Sequence, residues 1–152
     1  MAILAGDALL TRAFEVLAEE ITPPETAAHC CARLANAAGA IGMVGGQVAD
    51  LQATTGPIDG PQEIPESDTV RDLETLQYIH QRKTGRLLAC SLQLGGAVAG
   101  ADDSQQHQLL EAGLALGQAF QITDDLLDVD GNIELTGKTG GRDRALGKLP
   151  YP

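Results

Sequence analysis

Gln118-Ala-Phe-Gln-Ile-Thr-Asp-Asp-Leu-Leu-Asp-Val-Asp130 closes a long apolar-periodic run and places four carboxylates in seven residues. On a helix, residues three, four and seven apart share a face. Gly117, Gln121, Asp124, Asp125 and Asp128 then form one polar stripe, with Leu116, Phe120 and Leu127 turned to another side. Carboxylates in a helix's last turns meet the negative end of its dipole, which costs roughly 0.3–1 kcal/mol each without a cation. Repulsion between Asp124 and Asp128 at i,i+4 adds to that. A hard cation would turn the penalty into a ligand set, since carboxylate oxygens favour Mg2+ or Ca2+ over softer metals. A solvated acidic helix end is the alternative on these residues alone.

Working upstream, Ala101-Asp-Asp-Ser104 opens this helix, with Asp102 and Gln105 at capping-box spacing. Residues 86–99 read as an apolar, small-residue helix, and Lys83-Thr84-Gly85 as a break before it. A helix capped by Ser67 or Asp68 is expected to run to about residue 82, with Leu73, Leu76 and Ile79 or His80 on its buried side. Residues 54–68 carry three prolines and two glycines and read as a connecting loop. Gly39, Gly42 and Gly46 recur at helical spacing, which suits either close approach of a backbone or ligand, or a small-residue face against a neighbouring helix. Gln47 and Asp50, three apart, share a face there. Residues 25–37 are Ala-rich and helix-forming, and Pro23-Pro24 stands where a first turn accepts proline. Leu10, Phe14, Leu17 and Ile21 stripe a first helix over residues 2–20.

Downstream, Asp130-Gly131-Asn132 ends the acidic helix, and the last twenty residues hold Lys138, Arg142, Arg144 and Lys148 with little apolar periodicity. Aromatics make up 3% of the chain and β-branched alternation is scarce, so strands lack support. The reading is an all-α bundle of about six helices in one domain.

Ten basic against twenty-one acidic residues give a net charge of -11, which argues against a nucleic-acid partner. No apolar run approaches the ~20 residues of a membrane span. Met1-Ala-Ile-Leu-Ala-Gly-Asp7 has no basic n-region, so no signal peptide is expected. Three cysteines (two adjacent) without a CxxC fit a reducing compartment, and the expected location is cytoplasmic.

Competing motifs fail on their own terms. An EF-hand loop with its glycine at Gly131 would need ligands at Leu126 and Gly137. A P-loop ending at Gly137-Lys138-Thr139 would need glycine at Asn132 and a preceding strand. His29, His80 and His107 form no HExxH pattern and read as surface or helix-end residues. A Mg2+ site joining carboxylates to a phosphate-bearing substrate survives, flanked by Lys83-Thr84 and the basic tail.

Phe120-Gln121-x-x-Asp124-Asp125-x-x-Asp128 resembles the second aspartate-rich motif, FQxxDDxxD, of the trans-prenyltransferases, or polyprenyl synthetases. The resemblance extends along the chain in the family's order. Ala2 to Leu10 is similar to AILAGDALL, and Gly42 to Asp50 to GMxGGQxxD. His80 to Gly85 is similar to IHxxKTG, and Gly137-Lys138, Gly141-Arg-Asp143 and Gly147-Lys148 to LGKxxGxD…GKxTYP.

That resemblance implies an isoprenoid-synthase helical bundle and a Mg2+-dependent reaction. An allylic prenyl diphosphate ionises, and the carbocation is attacked by the double bond of isopentenyl diphosphate. By the same resemblance Asp124 ligates Mg2+, and Asp125 and Asp128 support the metal directly or through water. Lys83, Gln121 and Lys138 hold the allylic diphosphate with help from Thr84, and Phe120 and Lys148 join the substrate-binding set. Lys83, Asp124 and Lys138 are the catalytic candidates, and Gln47 and Asp50 line or support the cavity.

The family's first aspartate-rich motif, its paired arginines and its last helices have no counterpart in residues 1–152. The segment corresponds to the middle and later part of a synthase, and weak or no turnover is expected of it alone. The alternative is a non-catalytic subunit that binds a full-length synthase. A homodimer is the expected assembly otherwise.

Overall fold

A computed structural model describes residues 1–55 and 69–130, with the side chains of 54, 55, 69–72 and 128–130 outside that description. Six α-helices and one π-helical turn account for nearly all of the described residues, and none of those residues is in a strand. They are α1 (Ala2–Glu20), α2 (Pro24–Ala38), α3 (Met43–Thr55), α4 (Thr69–His80), α5 (Arg86–Val98) and α6 (Asp103–Asp130), with the π-turn Gln81–Gly85 between α4 and α5. Residues 54 and 55 of the expected 54–68 loop instead continue α3; the rest of that loop, the Ser67/Asp68 cap and the stop at Gly131-Asn132 lie outside the described residues.

Local chemistry sets most of these boundaries. Pro24 takes the first helical position of α2, where its missing N–H breaks no ladder bond. The α6 start is a capping box: Gln105 N–H donates to Asp102 Oδ1 at 2.8 Å, and Asp102 N–H to Gln105 Oε1 at 2.9 Å. Asp102→Ala should cost about 1 kcal/mol of unfolding free energy, read by urea titration, with an unchanged m-value.

Two expectations need correcting. Gly39 to Gly42 is not helical; it is the turn between α2 and α3, so of the three spaced glycines only Gly46 lies inside a helix. Nor does Lys83-Thr84-Gly85 break its helix. His80 and Arg86 both keep right-handed helical dihedrals (φ/ψ of -58/-45 and -60/-41), so α4, the π-turn and α5 form one continuous rod. The glycine absorbs a change of hydrogen-bond register rather than ending the helix.

α5 packs most extensively on α6, and α2 on α5 and α1. The core is built from small groups: Leu34, Ala37 and Cys90 form its centre, with Ala13, Phe14, Leu17, Leu87 and Leu94 against them. Of the α1 stripe, Phe14 and Leu17 pack there, whereas Leu10 is largely exposed. The expected buried side of α4 holds: Leu76, Ile79 and His80 are all buried. No described helix is long and apolar enough to cross a membrane.

Candidate functional site

The π-turn is the meeting point. On one side, α3 comes so close at Gly46 that a Cβ there would overlap the backbone of Arg82 and Lys83. On the other, a Cβ on Gly117 of α6 would overlap Gly85. Both contacts are backbone to backbone and admit only glycine. They bring the Asp50 end of α3 and the aspartate-bearing end of α6 to opposite flanks of the same five residues.

One ion pair and one histidine–carboxylate contact occupy that junction. Lys83 Nζ lies 2.5 Å from Asp50 Oδ2, with the side chains 31% and 16% exposed, so a cation is held at the mouth of the cluster rather than in bulk water. His80 Nε2 lies 3.6 Å from Asp125 Oδ2, with the imidazole 5% exposed. Burial pushes the His80 imidazole below its ordinary pKa; the negative Asp50 opposes this and Lys83 reinforces it. His80 is therefore neutral at pH 7, and His80, Lys83, Asp50 and Asp125 form one electrostatic unit. Beside it, Arg82 donates to the Ile41 carbonyl at 2.7 Å and stacks on the Tyr78 ring at 4.4 Å, tying the α2–α3 turn to the π-turn.

The α6 stripe has an unusual orientation. Its polar side faces inward: Gly117 is buried, and Gln121, Asp124 and Asp125 are half-buried. Its apolar side faces out, with Leu116 and Phe120 each 59% exposed and Leu127 45%. Helices usually bury the apolar face. Here close packing at Gly117 selects the polar one.

Of the residues singled out from sequence, Lys83, Thr84, Asp50, Gln121, Asp124 and Asp125 lie at or beside the junction, and Gln47 lies exposed one turn before Asp50. Phe120, on the outer face of α6, is not brought to it. Lys138, Lys148 and the side chain of Asp128 lie outside the described residues. Of the histidines read as surface or helix-end residues, His29 and His107 are exposed, whereas His80 ends α4 and is buried there. The signal that could have found it is its position one turn before Lys83, on the same side as buried Leu76.

The donor set suits a hard ion that keeps water. Among the described residues no three His, Cys, Asp or Glu side chains converge as a complete cage. Mg2+ asks for less, typically one or two carboxylates with water and substrate phosphate completing the shell. Asp124 and Asp125 fit that requirement. A separate cavity of about 260 Å³, lined by His29, Arg33, Asn36, Arg86 and Gln93 among others, shares none of the cluster's residues.

Comparison with known proteins gives a consistent answer. The polyprenyl synthetase family model matches residues 1–152. The chain is 43% identical to a farnesyl diphosphate synthase of Geobacillus stearothermophilus over 155 aligned positions, covering all of this chain and 48% of that protein. It is 40% identical to geranylgeranyl pyrophosphate synthase 7, chloroplastic, of Arabidopsis thaliana, covering 41% of it. It thus spans about half the length, or less, of these curated relatives. Among solved structures, a geranyltransferase from Helicobacter pylori complexed with magnesium and isoprenyl diphosphate superposes with a TM-score of 0.77 at 30% identity, over 99% of this chain and 45% of that one. An apo FPP/GFPP synthase from Zymomonas mobilis gives 0.73 at 35% identity, over 95% and 51%. The helical architecture is that of the isoprenyl synthases, and with the whole of residues 1–152 matched, the chain belongs to the polyprenyl synthetase family.

Proposed function

We propose that residues 1–152 form one unit, the middle and later part of a prenyl diphosphate synthase domain, and supply one side of its metal-diphosphate site. The carrying observation is the pairing across the π-turn: Lys83 held beside Asp50 on the α3 flank, and Asp125 with its neighbour Asp124 on the α6 flank. A cation and carboxylates gathered at one junction are what a metal-bridged diphosphate needs.

In this reading Asp124 and Asp125 hold Mg2+, with Asp128 assisting. When bound, that ion supplies Lewis-acid stabilisation of the departing pyrophosphate. Lys83 binds the allylic diphosphate, Gln121 and Thr84 orient it, and Lys138 and Lys148 belong to the same substrate-binding set by the motifs they stand in. The C–O bond breaks with its electron pair leaving on pyrophosphate, the double bond of isopentenyl diphosphate attacks the allylic carbocation, and proton loss restores a double bond. The Ala- and Gly-rich helix faces exclude water that would otherwise trap the cation. The exposed apolar side chains Ile3, Leu4, Leu9 and Leu10 of α1 support association with a second copy or a longer synthase. The three cysteines are free thiols, in keeping with a reducing cytoplasm.

Thermal melting with Mg2+ and a non-ionisable allylic diphosphate analogue tests the proposal. Neither component alone should shift Tm much. Together, at about 100 times Kd, they should add about 2.7 kcal/mol of stability. No shift at millimolar concentrations of both would overturn it. Isopentenyl incorporation by the 152 residues alone is expected to be weak or absent.

A further inference from the structure

The π-turn cluster contains one buried group that the proposed chemistry leaves without a task. His80 is 4% exposed, its Nε2 points at Asp125 Oδ2 from 3.6 Å, and its Nδ1 is buried with no hydrogen-bond partner among the described residues. A buried polar atom without a partner is costly, so its retention asks for a reason. Only one form of the ring suits this setting. The Nδ1–H tautomer would set the Nε2 lone pair against a carboxylate while leaving a buried donor unmet. An imidazolium would leave that same donor unmet and add a buried charge. The Nε2–H tautomer aims its donor at the carboxylate and leaves only an acceptor, the cheaper orphan, at Nδ1. The 3.6 Å separation is about 0.6 Å beyond a good hydrogen bond, within reach of a small side-chain shift.

We propose that His80 is a positioning residue: its Nε2–H engages Asp125 Oδ2 and so fixes the plane of the carboxylate that meets the metal. This rests on Asp125 belonging to the metal-diphosphate site proposed above. Such support of a ligating carboxylate is commonly worth tenfold to a hundredfold in metal affinity. The support crosses between elements, because His80 ends α4 whereas Asp125 lies in α6, so it links the carboxylates to the same rod that carries Lys83.

Two measurements test it. The first needs no metal: long-range 1H–15N correlation on the labelled, unsubstituted chain should show His80 as the Nε2–H tautomer at pH 7. Its ring signals should move in Asp125→Asn. An Nδ1–H tautomer or an imidazolium overturns the proposal. The second measures Mg2+ affinity in the presence of inorganic pyrophosphate. His80→Gln puts an amide N–H near the Nε2 position and should stay within about threefold, while His80→Phe should lose tenfold or more. Equal losses in both variants, or none in either, also overturn it. Should His80→Phe fail to fold, the tautomer decides. Should the unsubstituted chain bind no Mg2+, the metal-site reading fails, and the tautomer still reports whether His80 and Asp125 are paired.

Discussion

Gly117→Val is expected to lower Tm by roughly 6–12 °C. A Cβ at Gly117 would stand 2.9 Å from the Gly85 nitrogen and closer still to its Cα, and backbone atoms cannot rotate away as a side chain does. Forcing α6 outward costs about 3 kcal/mol, the upper part of the usual overpacking range, and each kcal/mol moves Tm by about 2–4 °C at this size. The change should also disable the site. Lys83 and Thr84 belong to the turn that Gly117 touches, while Asp124 and Asp125 both lie about two turns further along the displaced helix. Mg2+-dependent binding of a diphosphate analogue should then fall by more than the stability loss accounts for, measured at a temperature where the variant is still folded. Gly117→Ser at unchanged Tm would show that the two helices are not in contact as described.

Asp124→Asn should act in the opposite way, on binding and not on folding. The amide has the carboxylate's shape, so the metal-free Tm should stay within about 3 °C. As a ligand it is neutral and weaker. Losing one charged oxygen from a hard-cation site removes about 3 kcal/mol, roughly a hundredfold in affinity. The expected result in calorimetry is loss of Mg2+-dependent diphosphate binding, with weak metal-independent binding to Lys83 retained. Unimpaired Mg2+-dependent binding in Asp124→Asn would remove Asp124 from the metal site.

Among the described residues, the features legible in the sequence are those set by neighbours three or four residues apart. The helical periodicity, proline at the start of α2, the Asp102–Gln105 box and the buried side of α4 are all of that kind. The polar stripe from Gly117 to Asp125 could be drawn from spacing too. Its direction could not. Amphipathic pattern predicts that Leu116, Phe120 and Leu127 point inward, and they point outward because Gly117 needs the backbone of Gly85 beside it.

The π-turn was hidden for a similar reason. A glycine after Lys83-Thr84 reads as a helix stop, and only packing against α3 and α6 decides that the ladder shifts register and continues. His80 shows the same limit at one side chain. Its spacing allowed either a buried or an exposed ring, and the carboxylate it faces lies forty-five residues further along, in another helix.

By itself, then, the sequence determined the helices, the acidic stripe and, through five ordered motifs, the family. The tertiary structure alone decided which face of α6 turns inward, that Lys83 meets Asp50, and that His80 meets Asp125. Local pattern records what lies within a turn or two along the chain. These three facts depend on close approaches between distant helices, which glycines permit without announcing the partner.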